Sequence, residues 1–421
     1  MSAERITAKY LIETAHPLEK AAAVMAGEMS AGTFVKVAGE TPELLENHGG
    51  RVESLVDLGP VDAPALPGAK PPKGSAPPYA YRRAEIALSF PFENVGCNLP
   101  VLISTLAGNV YELGPFSGLR LLDFDLPPAF AEKYPGPQFG VEGTRQLTGV
   151  YGRPVIGTII KPSVGLKPPE TAAVVRELVG AGVDFIKDDE KIANPPYSPF
   201  EERVKAVMAV INDHAQKTGK KVMFAFNISG DIDDMLRQHD TVVQHGGTCV
   251  MVNMISVGAA GVAHLRRRCQ VAIHGHRCGW GMYSRHPLLG MAYTAFQKFF
   301  RLAGVDQFHV NGIRNKFCES DESVIASARA CLAPFLGGRP VMPVFASGQW
   351  AGQAPDTYAA LGSSDALFVA GGGTMGHPDG PAAGVTSIRE AWEAAAQGIP
   401  LDVYARDHRA LRLALETFAD R

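Results

Sequence analysis

Residues 182–190 read GVDFIKDDE: a short, mostly apolar run, Val183 to Ile186 with Asp184 its one charge, that closes abruptly on the charged quartet KDDE. A run of this length, continuous rather than alternating, suits a β-strand covered on both faces. The same form recurs along the chain. PVIGTIIKP precedes it, and KVMFAFNIS, TCVMVNMIS, QVAIHGHR, DQFHVNG, VMPVFASG and ALFVAGGG follow, each separated from the next by a helix-length segment. Strand–helix repetition of this kind demands parallel pairing with helical crossovers. Eight units after about residue 150 predict a closed (β/α)8 TIM barrel rather than an open sheet.

The polar residues of these runs come last. Lys161, Lys187 with Asp189 and Glu190, Asn227, Asn253, His274 with His276 and Arg277, His309, Ser347 and the triplet Gly371 to Gly373 all close their strands. In a closed barrel such ends converge on one face, where barrel enzymes place their active sites. Eight polar endings in register predict a single site.

Upstream of the barrel, RITAKYLIE, EKAAAVMAGEM, GTFVKVAG, RRAEIALSF and LRLLDFDLP alternate strand-like and helix-like patterns. They predict a small α+β domain over residues 1–135, with the barrel over 136–421. The Pro-, Ala- and Gly-rich stretch from Gly59 to Pro78 reads as a long loop inside the first domain.

Composition narrows the function. A net charge of −3 gives no electrostatic case for a nucleic-acid or anionic-membrane partner. The N-terminus lacks the apolar core of a signal peptide, and no apolar run reaches about 18 residues. Six scattered cysteines form no CxxC pair and predict reduced thiols in a cytoplasmic enzyme.

The chemistry of KDDE is the most specific. Side chains two apart on a strand share a face, so Lys187 and Asp189 point together, and Glu190 joins them only where the strand ends or twists. Two carboxylates suit a hard divalent ion such as magnesium. The lysine beside them fits as a carbamate, which supplies an anionic oxygen, or else it forms a rim ion pair with Asp189. Lys161 reads as a proton donor or electrostatic stabiliser, or as a rim ion pair with a nearby carboxylate. The triplet Gly371 to Gly373, followed by Thr374, can present backbone N–H groups to a phosphate or be a plain loop. Arg277 and His309 can hold a second anionic group, although a solitary histidine is more often structural.

These residues closely resemble the large subunit of ribulose bisphosphate carboxylase and its RuBisCO-like relatives. The motifs run in order as EMSAGTF (Glu28 to Phe34), LAGNVYEL, GTIIKP, GVDFIKDDE, IHGHR, DQFHVNG, FASG and GGGTMGHPDG, over nearly the whole chain. The resemblance implies a ferredoxin-like N-terminal domain before the barrel. It implies one Mg2+ per subunit held by Asp189, Glu190 and a CO2-derived carbamate on Lys187. Lys161 becomes the catalytic lysine of the first barrel strand, with His276 beside the substrate. Arg277 and His309 fall at one phosphate of the substrate and Thr33, Gly372 and Gly373 at the other, with Ser347 and Gly371 among the further substrate-binding residues. Lys316 lies at the right distance from His309 to match the lysine of the loop after the sixth barrel strand. Glu28 and Asn109 complete the site of a neighbouring subunit, which implies a homodimer with shared active sites, or an assembly of such dimers.

Four departures point away from CO2 fixation. Ser163 stands where carboxylating members carry a second lysine, the loop after the sixth strand reads GIRNKFCES, Phe34 replaces a tryptophan, and Gln349 replaces a glycine. Methionine-salvage enolases use a lysine in the stretch that here reads SGLRLLDF, which has none. The expected function is therefore enediolate chemistry on a phosphorylated sugar acid, foremost the decarboxylation of 3-oxo-isoapionate 4-phosphate. The alternatives are a transcarboxylase/hydrolase on the same substrate, an isomerase or enolase acting on 5-methylthioribulose 1-phosphate, or a non-catalytic regulatory member.

Overall fold

The structure is a computed structural model that describes residues 4–32 and 37–419. It divides into two compact units. One comprises the described residues up to Tyr134 together with Gly279–Leu302, and the other comprises Pro135–Cys278 with the described residues from Ala303 onward.

The first unit is built on β1 (Arg5–Thr14), β2 (Arg51–Val61), β3 (Tyr81–Pro91) and β4 (Phe116–Asp125). Their order, β4-β1-β3-β2, is antiparallel throughout. With helices Leu18–Glu28 and Leu99–Ala107 in the connections, this is the ferredoxin-like arrangement. In β1 and β3 one face is sealed: Ile6, Ala8, Tyr10 and Ile12 alternate with more exposed neighbours, as a half-buried strand requires. β2 escaped the sequence reading because it is an edge strand with Val56 and Leu58 exposed, so burial imposes no alternation on it. Of the strand-like stretch GTFVKVAG, residues 33–36 lie outside the described residues, and 37–39 form no strand. A further short strand, β10 (Leu289–Met291), pairs in parallel with β4. It draws residues 279–302 into this unit, an excursion that a single division at 135/136 leaves out.

The second unit is a closed parallel barrel of eight strands. They are β5 (Val155–Ile159), β6 (Phe185–Lys187), β7 (Met223–Asn227), β8 (Cys249–Asn253), β9 (Ala272–His276), β11 (Gln307–His309), β12 (Met342–Phe345) and β13 (Leu367–Val369). Each of the eight expected runs supplies one of them. The strands are only three to five residues long and almost wholly buried, with helices outside and side chains such as Val155, Phe185, Met223 and Met251 filling the inside. The helix Gly140–Thr148 covers the N-terminal end of the barrel. Phe139, Val141 and Leu147 pack on the inner cluster, and Gln307 Nε2 donates to Thr144 Oγ1 at 3.2 Å.

Candidate active site

The geometry of KDDE follows from the strand alternation. Phe185 belongs to the inner barrel cluster. Lys187 and Asp189, two and four residues on, therefore face inward at the C-terminal mouth, and Asp188 faces out. The outward carboxylate is met by Arg203, a fully buried side chain on helix Phe200–Thr218, at 3.3 Å, and it accepts from the Asn227 backbone N–H at 3.0 Å. Arg203 also donates to the carbonyls of Ala193 and Ser198, so one guanidinium ties the strand end to the loop that follows.

β6 stops at Lys187 and Glu190 begins a turn, which is the change of direction needed to bring the second carboxylate round. Two asparagines from the next strand ends secure that turn. Asn227 Nδ2 and Asn253 Nδ2 both donate to the Glu190 carbonyl, at 3.2 and 2.9 Å. Asn227 and Asn253 were visible in sequence only as polar strand endings; their work as backbone clamps depends on which strands neighbour β6.

Lys187 is buried, and its Nζ donates to the Asp188 carbonyl at 3.0 Å. Burial lowers its pKa to about 8, against the opposing pull of Glu190, Asp189 and Asp188. Among the described residues the ion-pair partners of Asp189 are instead Lys161, at 3.0 Å, and Lys191, at 3.6 Å. Burial pushes the Asp189 carboxyl up, but the hydrogen bonds from Lys161 and Ser163 and the charges of Lys161 and Lys187 outweigh it and hold the group below the usual carboxylate range. Lys161 Nζ also donates to Ser163 Oγ at 2.6 Å. The serine thus shares the ammonium with Asp189.

His276 and His309 stand on β9 and β11 with ring centroids 4.8 Å apart. His276 Nδ1 accepts from the Cys278 backbone N–H, and its Nε2 lies 3.7 Å from Glu190 Oε2. Burial first, and then the surrounding positive charges, push both rings well below the ordinary histidine range, so both are neutral at pH 7. Arg277 is buried, and its Nη2 lies 2.8 Å from Glu319 Oε2. Ser347, in a left-handed conformation with φ 71°, donates through Oγ to Asn311 Oδ1 at 2.8 Å.

The glycine triplet closes the ring beside Lys161. A Cβ on Gly371 would come within 3.6 Å of the Lys161 side chain, and one on Gly373 would collide with the Gln349 carbonyl and Trp350 at 2.6 Å. Gly372–Met375 forms a single helical turn there, whose first N–H groups have no partner within the turn. Gln349 is buried, packs on Gly312 and donates to the Ile313 carbonyl at 3.1 Å, pinning the start of the segment after β11. On that segment the Lys316 backbone N–H donates to the Ser347 carbonyl at 3.2 Å, while its amine lies over the Phe317 ring, 5.2 Å from the centroid. The main chain of Lys316 is thus anchored at the barrel mouth, and the residue itself is exposed.

In the N-terminal unit, Glu28 and Asn109 line one cleft of about 380 Å³, with Ser30, Ser104 and Thr105 beside them. Thr33 and Phe34 lie outside the described residues.

Among the described residues no cluster of three or more His, Cys, Asp and Glu side chains is arranged to hold a metal. The donor set at the mouth is two carboxylates, Asp189 and Glu190, and a lysine amine. The two carboxylates suit magnesium, but the adjacent ammonium would repel it unless Lys187 is converted to a carbamate, which supplies an anionic oxygen. The residues fit the ion on that condition.

Residues 140–418 match the ribulose bisphosphate carboxylase large chain, catalytic domain, and residues 79–130 its N-terminal domain. The chain belongs to the ribulose bisphosphate carboxylase large-chain family. Within that family it is 53% identical to a 3-oxo-isoapionate-4-phosphate transcarboxylase/hydrolase of Xanthobacter autotrophicus, an alignment covering 98% of this chain and 99% of that one. It is 48% identical to a 3-oxo-isoapionate-4-phosphate decarboxylase of Rhizobium etli, over 99% of both chains. The crystal structure of a rubisco-like protein from Burkholderia fungorum superposes with a TM-score of 0.91 at 46% identity, covering 98% of this chain and 100% of that one.

Proposed function

We propose that this chain is a decarboxylase of a phosphorylated β-keto sugar acid, with 3-oxo-isoapionate 4-phosphate as its substrate. The observation that carries the reading is the placement of Lys161. Its ammonium is held between Asp189 and Ser163, next to the paired carboxylates and within reach of the glycine turn. A β-keto acid loses CO2 when the electron pair of the breaking C–C bond is accepted at the neighbouring carbonyl. The carbanion that remains needs a proton from a fixed donor, and Lys161 Nζ supplies it.

Lys187 as carbamate, Asp189 and Glu190 would hold one Mg2+, which when bound supplies Lewis-acid stabilisation of a carbonyl oxygen. The backbone N–H groups at Gly371, Gly372 and Gly373 receive the phosphate. Neutral His276 lies beside the reacting carbons and hydrogen-bonds the substrate without adding charge. The cleft holding Glu28 and Asn109 completes the barrel site of a second copy, making the working unit a homodimer. Six cysteines without a disulfide among them, and the absence among the described residues of any helix long and apolar enough to cross a membrane, support placement in the cytoplasm.

The 53% identity to a transcarboxylase/hydrolase favours a second reading, in which the carboxyl carbon is retained in an organic product. One reaction separates the two. Enzyme with Mg2+ and bicarbonate is given carboxyl-13C-labelled substrate in D2O and followed by NMR. Decarboxylation releases the label as CO2 and leaves one carbon-bound deuterium in the product. Label retained in an acid product supports the hydrolase, and deuterium exchange without loss of carbon supports an isomerase.

A further inference from the structure

The sequence assigns Arg277 and His309 to an anionic group of the substrate. In the structure an anion of the chain itself is already wired into that corner. Glu319 Oε2 lies 2.8 Å from Arg277 Nη2 and accepts from Asn311 Nδ2 at 2.6 Å. Its other oxygen accepts from Ser323 Oγ at 2.8 Å. Through Asn311, which also accepts from Ser347 Oγ, the carboxylate is coupled to Ser347, another residue expected to contact the substrate.

This is a built contact rather than a passing one. Glu319 is mostly buried, its carbonyl accepts from Asn315 Nδ2 at 3.1 Å, and Ser323 belongs to the first turn of helix Asp321–Leu332, which Ser320 caps. Both carboxylate oxygens are bonded, and the segment carrying them is pinned at Gln349 and Ser347. A phosphate brought to Arg277 would have to displace this carboxylate or lie against it, and like charges in a partly buried corner repel strongly.

We infer that Glu319 is a specificity-determining residue: an internal anion that fills the Arg277 corner and restricts the site to substrates carrying a single phosphate. The inference rests on reading the barrel mouth as a site for a phosphorylated acid. It accounts for how a barrel with an arginine and a histidine at one side and a glycine turn at the other serves a monophosphate.

The test is calorimetric binding of two probes, ribulose 1,5-bisphosphate and ribulose 5-phosphate, to the full-length enzyme with Mg2+ and bicarbonate. Wild type is expected to bind the bisphosphate no more tightly than the monophosphate. Glu319→Gln, which removes the charge at constant shape, is expected to gain at least about tenfold for the bisphosphate, the worth of one charge-assisted hydrogen bond, with a smaller change for the monophosphate. Glu319→Asp, which keeps the charge, is expected to retain wild-type discrimination. Wild type that already prefers the bisphosphate about tenfold would overturn the inference, and this arm needs no variant to fold. A folded Glu319→Gln with no gain would overturn it equally. Because the readout is binding, an enzyme that released no CO2 would sink the decarboxylase reading and leave this comparison intact.

Discussion

The two ends of the barrel use the same residue types for opposite purposes. At the end where the strands begin, both oxygens of Asp184 and of Asp306 are saturated. Asp184 Oδ1 accepts from Arg153 at 2.9 Å and Lys220 at 2.5 Å, and its Oδ2 from Arg153 at 2.5 Å and the Ile156 N–H at 2.9 Å. Asp306 accepts from the N–H groups of Phe139 and Gly140 on one oxygen, and from Arg266 and the Ile273 N–H on the other. At the end where the strands finish, Asp189 is bonded on one side by Lys161 and only loosely on the other, and the Glu190 carboxylate faces the neutral ring of His276 at 3.7 Å. A carboxylate with two donors on each oxygen holds strands and helices together and has nothing left to offer a ligand. One with open lone pairs costs stability and is available for chemistry.

The largest expected effect lies at the open end. Lys187→Met should lower turnover by about a thousandfold or more, because it removes the side chain proposed, as a carbamate, to complete a magnesium site. It should leave the unfolding midpoint unchanged or raised, since a buried amine is exchanged for an apolar chain of similar length. Turnover and urea denaturation measured on one preparation check both halves; a variant that is active, or inactive because it is unfolded, breaks the comparison.

The next effect belongs to the closed end. Asp306→Ala strands the nearly buried Arg266 and three backbone N–H groups, and should cost about 3–5 kcal/mol in urea denaturation. Turnover per folded molecule should remain that of wild type. A loss under about 1 kcal/mol would show that saturation there does not carry stability.

The smallest effect concerns acid. Inside the barrel His274 is held neutral, its pKa lowered by burial and by Lys187 to about 3, against an ordinary value near 6.5. The unfolded chain binds a proton in that interval and the folded chain does not. Stability is therefore complete above about pH 6.5 and falls as the pH drops toward 3, by up to about 1.4 kcal/mol per pH unit from this group. Denaturation midpoints between pH 7 and 4 should slope less in His274→Gln; equal slopes would remove His274 from the account.

Much of this contrast is legible without coordinates. The eight barrel strands could be read because each is a buried run whose polar residues gather at its last positions, and the inward pair Lys187 and Asp189 follows from a period of two. What stayed hidden depends on neighbours distant in sequence. Asp188 points outward to Arg203, which no local pattern signals. Asn227 and Asn253 clamp the Glu190 turn only because β7 and β8 follow β6 in the barrel. Glu319 meets Arg277 from far along the chain, in a segment that the sequence singles out for Lys316 instead. β10 reads Leu-Gly-Met with Leu289 exposed, so it forms no continuous buried apolar run closing on a polar residue.

The most direct test makes one chemical change at both ends. Asp189→Asn and Asp184→Asn each replace a carboxylate by its amide, and CO2 release from 3-oxo-isoapionate 4-phosphate is measured beside the unfolding free energy. Asp189→Asn is predicted to lose turnover by about a thousandfold while staying folded, and Asp184→Asn to lose about 3 kcal/mol of stability while its folded fraction turns over normally. An Asp189→Asn enzyme that still releases CO2 at the wild-type rate would contradict the account.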